Sequence, residues 1–366
     1  MRRLLLLISA AITPLLIFSC EDGNKQESPI PVISLSGSWY EMGRQYGRQV
    51  LPYLQDTRQY LEDRIGNDSQ KKEAVELTAE KLFSSYPDSL RVFFDGMREG
   101  SGLPLSTLKV LNAIEYAEPD FACAGIAVWG DYSGGELLYG RNYDALSYRE
   151  ISKDIILTIY HPTDSPAFAT LGYAGEIYCV NGWNSEGLFI ELNNGQPSAG
   201  RDYHYELEPS TVSLLMSLGT SKGIDDFDSF ITSTRCSSGY MIGVCDSLTA
   251  RSYEWSYEGC KRGDGSTPEG LIVQTNDFVN PEWSYPTPSD ADSWQGHTRR
   301  NNLIDLAERH KGSINLETMQ KILETCIEDG GATSEYTRYQ IIYQPSGNRI
   351  WVRIPGELEW SAIDLF

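Results

Sequence analysis

Cys123 opens the run Cys123-Ala124-Gly125-Ile126-Ala127-Val128, and Gly140-Arg141-Asn142-Tyr143-Asp144 follows shortly downstream. A thiol, a guanidinium and a carboxylate are the parts of a nucleophilic site: the thiolate attacks, a cation favours it, and a carboxylate orients the base. If the chain is cut between Ala122 and Cys123, the cysteine also gains a free α-amine. A thiol near about 8.5 and an α-amine near roughly 7.7–8.0 both titrate close to neutral pH, so the amine can take the thiol proton. The competing reading of Cys123 is a buried strand cysteine, and that of Asp144 a strand-end turn aspartate.

These residues need a scaffold. A glycine-containing turn at 131–135 predicts a β-hairpin, with the cysteine at the head of one strand and the Arg/Asp pair on the next. Upstream, from about 40 to 116, Val50, Leu51, Leu54, Tyr60 and Leu61 recur at helical spacing, and further helical stretches (74–83, 89–97, 106–117) are broken by Pro87 and Gly102-Leu103-Pro104. Downstream, segments rich in Ile, Val and Tyr predict strands over 125–129, 137–141, 154–160, 167–173, 188–192, 240–246, 251–256, 270–275, 339–344 and 349–354. Helical patterns interrupt them at 208–217, 298–309 and 316–327. A helical preface followed by an antiparallel-leaning α+β body is the expected fold class.

At this point the motifs resemble a family. Cys123-Ala124-Gly125 followed by Gly140-Arg141-Asn142-Tyr143-Asp144 is similar to the choloylglycine hydrolases and linear amide C–N hydrolases of the N-terminal-nucleophile superfamily. Asn184-Ser185-Glu186-Gly187-Leu188 with Glu191-Leu192-Asn193, then Thr275-Asn276, then Thr298-Arg299-Arg300, fit that family's later motifs in order. The preface Gly37-Ser38-Trp39-Tyr40-Glu41-Met42-Gly43-Arg44-Gln45-Tyr46-Gly47 resembles the isopenicillin N acyltransferase branch, in which a prosegment precedes the nucleophile and self-cleavage exposes it.

The resemblance implies an αββα sandwich, two antiparallel sheets between helical layers, behind a helical prosegment. It implies self-cleavage between Ala122 and Cys123, with Asp144 holding the freed amine. Asn276 would point its amide at the developing oxyanion with help from Asn193, and Arg299 would support Cys123. Asn193-Asn194-Gly195 also reads as a plain turn, and Arg300 competes with Arg299 for its role. Two departures stand out. Ala124 follows the nucleophile where relatives often carry Thr or Ser, and bile salt hydrolases have no helical preface.

The ends and the composition bound the rest. Arg2 and Arg3 precede an apolar run over 4–18, too short with these flanks to span a membrane, which reads as an export signal. Cys20 after Ser19 resembles a bacterial lipobox, placing a lipid on Cys20; the alternative is an ordinary signal peptide with an unrelated cysteine. The expected organisation is a signal at 1–19, a tether at 20–33, the prosegment at 34–122 and the hydrolase core at 123–366. A net charge of -21 argues against nucleic acid as a partner. Among seven cysteines, five remain beyond Cys20 and Cys123, so at least one is unpaired. Cys179 and Cys245 read as packing residues, and Cys236 and Cys260 as candidates for a bridge. Scattered histidines and cysteines fit no zinc pattern, so neither metal nor cofactor is expected.

The leading functional expectation is therefore an exported, self-cleaving cysteine amidase acting on a small linear amide through an acyl-thioester on Cys123. Its membrane contact would be the Cys20 lipid alone. An acyltransferase is the sibling reading, which export disfavours because no acyl-coenzyme A donor is expected there. A papain-like Cys-His hydrolase lacks its surrounding sequence, and a non-catalytic, ligand-binding surface lipoprotein is the remaining alternative.

Overall fold

In a computed structural model, which describes residues 28–113, 116, 121–263 and 267–366, the hairpin at Cys123 becomes the centre of one of two facing sheets. Its strands are β2 (Phe121–Val128) and β3 (Leu138–Ala145), antiparallel, with Ala122 opposite Asp144 and Cys123 opposite Tyr143. β11 (Leu271–Gln274) joins on one side, and β12 (Thr337–Gln344), β13 (Arg349–Ile354) and β14 (Leu358–Asp364) on the other. The second sheet runs in the order β1 (Val32–Gly37), β4 (Ile155–Pro162), β5 (Phe168–Tyr173), β6 (Asn181–Asn184), β7 (Phe189–Asn194), β8 (Gly239–Cys245), β9 (Ala250–Ser256) and β10 (Gly259–Arg262).

Helices cover both outer faces. On the smaller sheet, the later helices at Gly296–Arg309 and Leu316–Glu324 bury Leu303, Met319 and Leu323 against Ile126, Leu138 and Ile342. Against the larger sheet lie α1 (Trp39–Gln49), α2 (Leu51–Ile65), α3 (Ser69–Ser84), α4 (Asp88–Ser101), α5 (Leu105–Leu111), α6 (Ser210–Leu218) and α7 (Ile224–Ser233). The two later helices are α8 (Gly296–Arg309) and α9 (Leu316–Glu324). This is the expected αββα layering.

Three details depart from the sequence reading. β1 was not foreseen; it pairs parallel with β4 at the sheet edge, so the larger sheet is not wholly antiparallel, and it spans the expected boundary at 33/34. β6, β10, β14 and α7 also escaped prediction: the first two are four residues each, too short for a periodic signal. All six described cysteines are free thiols, so Cys236 and Cys260 form no bridge. Cys179 and Cys245 are buried among core side chains, as their apolar surroundings implied. The export signal and Cys20 lie outside the described residues. No described helix is long and apolar enough to cross a membrane.

The helices that precede Cys123 are held by close backbone contact. Gly43 and Gly47 of α1 face Gly96 and Gly100 of α4, and a Cβ on Gly96 would sit 2.1 Å from the Tyr40 carbonyl oxygen. Only glycine lets the two helices cross that closely. Ser38 and Glu41 complete a capping box at the start of α1, fixing where that helix leaves β1.

Candidate active site

Cys123 is 1% exposed, with its side chain among the apolar groups between the two sheets. Arg141, two positions beyond Tyr143 in the ladder register, reaches under it: Nη2 donates to Cys123 Sγ at 3.2 Å and to the Leu192 carbonyl at 2.7 Å, and Nη1 to the Val180 carbonyl at 2.9 Å. Behind the guanidinium stands Glu191 of β7, with Oε2 3.7 Å from Nη1 and both side chains fully buried. Gly125 makes room for it, since a Cβ there would lie 2.0 Å from Glu191 Oε1. Glu191 lay inside a quoted motif without a role. Its signal is a carboxylate in the apolar setting Phe189-Ile190-Glu191-Leu192, where an unpaired charge is not tolerated.

A second network holds the backbone of Cys123. Its N–H donates to Asn276 Oδ1 at 3.2 Å, and its carbonyl accepts from Arg299 Nη1 at 3.1 Å. Arg299, in the first turn of α8, also donates to Asp144 Oδ2 at 3.1 Å, to Asn276 Oδ1 at 2.7 Å and through Nε to the Trp294 carbonyl at 3.0 Å. Thr337 Oγ1 donates to the other Asp144 oxygen at 2.6 Å. Thr337 had no sequence signal, because it enters from β12, 193 positions further along the chain. Arg300, the next residue, has Glu254 and Asp277 as charged neighbours.

The sequence-derived residues therefore converge, with two differences in detail. The Asn276 amide nitrogen donates to the Asn194 carbonyl at 2.7 Å and its oxygen faces the Cys123 N–H, so it holds the cysteine nitrogen rather than offering N–H groups to an oxyanion. The Asp144 carboxylate bonds Arg299 and Thr337, and so sets Arg299 in place. Asn193, on β7, is fully buried, and among the described residues neither its amide nitrogen nor its oxygen has a hydrogen-bond partner. A buried amide left unmatched costs about 1–3 kcal/mol, so it marks a place where a partner is expected to come and go.

Burial and neighbouring charges shift the ionisable groups of the site. Burial pushes the Cys123 thiol up to about 11, against the pull of Arg141. Burial works against the charge of Arg141, yet Cys123 and Glu191 beside it raise its pKa further. Asp144 and Glu191 are raised by burial although Arg299 and Arg141 oppose the shift. Among the described residues, no group of His, Cys, Asp and Glu could hold a metal ion.

A cavity of about 640 Å³ begins beside Ala122, on the N-terminal side of the cysteine, with Asp144 and Arg299 in its wall. Ala122, the residue before the cysteine, lines it together with Ala145 and Trp294.

No curated protein matches the chain. Solved structures of similar shape include a Caenorhabditis elegans N-acylethanolamine-hydrolyzing acid amidase ortholog, 15% identical, covering 67% of this chain and 100% of that one with a TM-score of 0.49. A mutant conjugated bile acid hydrolase from Clostridium perfringens is 14% identical over 66% of this chain and 92% of its own, TM-score 0.46. Penicillin V acylase from Agrobacterium tumefaciens is 11% identical over 66% and 86%, TM-score 0.38. The model of one family, acyl-coenzyme A:6-aminopenicillanic acid acyl-transferase, matches residues 132–358. That span begins just after Cys123, takes in Arg141, Asp144, Asn193, Asn276 and Arg299, and covers more than half of the chain. On that match, joined to the ordered motifs, the protein belongs to the acyl-coenzyme A:6-aminopenicillanic acid acyl-transferase family of N-terminal-nucleophile hydrolases.

Proposed function

We propose that this protein is an exported, self-cleaving cysteine amidase, anchored through Cys20, that hydrolyses a linear non-peptide amide through an acyl-thioester on Cys123. The observation that carries the reading is the pair of separate clamps on one residue: Arg141 on the Cys123 sulfur, Asn276 and Arg299 on its nitrogen and carbonyl.

In the first event, Cys123 Sγ attacks the Ala122 carbonyl carbon. The C–N bond breaks as the thiol proton passes to the departing nitrogen, leaving a thioester that water hydrolyses. Cys123 then carries a free α-amine where Asn276 Oδ1 already faces its nitrogen. In turnover, that amine takes the thiol proton and the thiolate, favoured by Arg141, attacks the substrate carbonyl. The oxyanion meets the unpartnered amide of Asn193. The leaving amine departs with the proton, and water assisted by the α-amine clears the thioester.

The family's own description supports a second reading, in which an amine rather than water accepts the acyl group. The proposed export favours water, since an acyl-coenzyme A donor is a cytoplasmic compound.

The test is the intact mass, under denaturing conditions, of the purified protein and of Cys123→Ala, followed by amide turnover. Two fragments meeting at Ala122/Cys123 in the wild type, one chain in the variant, and release of free acid are expected. An uncut wild-type chain without turnover would sink the proposal.

A further inference from the structure

The cavity beside Ala122 has a composition that says what it admits. Self-cleavage and substrate hydrolysis would use one nucleophile and one oxyanion donor, so a substrate's acyl carbon takes the place held by the Ala122 carbonyl. The acyl group then extends into the space that Ala122 lines. Two of the few exposed large apolar side chains among the described residues, Leu146 at 41% and Tyr336 at 42%, stand in its wall with Trp294. Apolar groups gathered at a cavity next to a nucleophile are what a ligand would cover.

Its charges all have one sign where they are free. Glu328 and Glu335 are exposed in the wall and form no ion pair among the described residues. Asp290 is held by the backbone N–H and hydroxyl of Thr298, which with burial opposing keeps its pKa below the usual carboxylate value. Among the described residues of the lining the one cation is Arg299, which donates to Cys123, Asp144, Asn276 and the Trp294 carbonyl. Nearby Arg338 donates to the carbonyls of Ser147 and Glu335. Among the described residues, the wall offers no free cation to a carboxylate.

Resting on the amidase reading, we infer that the acyl side of the substrate is an apolar chain without an anionic group, and that Glu328 and Glu335 exclude acyl groups ending in a carboxylate and favour those ending in an ammonium. The cleaved enzyme is tested on three anilides of similar length: hexanoyl, adipoyl and 6-aminohexanoyl. Two carboxylates near the chain end, acting through water, should separate the cationic from the anionic substrate by at least about tenfold in kcat/KM at low salt. The neutral substrate should lie between them or match the cationic one. The gap should shrink in high salt and collapse in Glu328→Gln/Glu335→Gln, while hexanoyl turnover stays the same.

Alkylation of Cys123 by iodoacetamides bearing propyl, carboxyethyl or aminoethyl groups is a second readout, independent of amide chemistry. The same order of rates with no anilide turnover would dispose of the amidase and keep the pocket. Equal rates, faster labelling by the carboxylate, no labelling at all, or a gap that survives the double variant would overturn the inference.

Discussion

Asn193→Ala separates a catalytic amide from a structural one, because the two kinds of buried asparagine make opposite predictions for stability. In the folded chain Asn193 is fully buried with both polar atoms unmatched. Leaving a buried amide unsatisfied costs about 1–3 kcal/mol, so its removal relieves that penalty. The small void left by truncation costs a similar amount, about 1–2 kcal/mol, so the net change is close to zero and Tm should move by less than about 3 °C. Turnover should nevertheless fall by roughly 10²–10³, the loss typical of one oxyanion donor.

Asn184 is the control. Its amide donates to the Leu218 and Ser221 carbonyls at 3.0 and 2.7 Å, and its oxygen accepts from the N–H groups of Glu186 and Leu188 at 3.1 and 3.0 Å. At about 1 kcal/mol for each bond, Asn184→Ala should lose about 3–4 kcal/mol and roughly 4–5 °C of Tm, with activity per folded molecule unchanged. Differential scanning calorimetry beside steady-state kinetics on the two variants reads both quantities. If Asn193→Ala melts as early as Asn184→Ala, or turns over within threefold of wild type, Asn193 is not the oxyanion donor.

Arg299→Lys keeps a positive charge but cannot reach four acceptors at once; both the rate of self-cleavage and kcat should fall by about 10²-fold or more, measured by fragment appearance and by turnover. Full activity of the lysine variant would show that charge alone suffices. Burial raises the carboxyl pKa values of Asp144, Glu191 and Glu254, so the folded chain binds these protons more tightly than the unfolded one. The stability they contribute is then greatest below the unfolded carboxyl range near about 4 and declines as pH rises from there through the folded values, so Tm should fall as pH is raised from about 4; a rise in Tm over that range would contradict the assignment. After cleavage the prosegment should stay attached, since β1 is a strand of the larger sheet and α1 and α4 are locked backbone to backbone. One native size-exclusion peak holding both fragments is expected, and separate native peaks would refute it.

The site was legible where chemistry and spacing are local. Cys123, Arg141 and Asp144 share one hairpin, and a turn between two short apolar runs is enough to place them on adjacent strands. Arg299 and Arg300 were indistinguishable because sequence does not give the rotation of a helix; burial against Asp144 and Asn276 picks Arg299. The orientation of the Asn276 amide follows from a donor 23 positions away, Arg299 Nη2, which forces the oxygen toward the cysteine nitrogen, and no local pattern encodes that. β1 was hidden for a similar reason. Its alternation is short and lies in a polar, proline-flanked stretch, and its partner β4 is more than a hundred residues away.

The state of Cys123 in the intact chain fixes an order of events. Its thiol is buried and pushed up to about 11, so at neutral pH it is protonated and poorly nucleophilic, and its nitrogen, tied up in a peptide bond, is no base. Cutting the Ala122–Cys123 bond changes both conditions at one stroke. The nitrogen becomes an amine beside Arg299, whose charge, 2.7 Å from the shared Asn276 oxygen, disfavours a second positive charge and so holds that amine neutral and able to take a proton. If the cut end at Ala122 then draws back from Cys123 while the rest of the preface stays bound, the sulfur joins the cavity beside Ala122, and the desolvation that raised the thiol is relieved. On the proposed cleavage, the intact chain would react poorly with external amides, and the cut that frees the Cys123 amine would itself be the activating step.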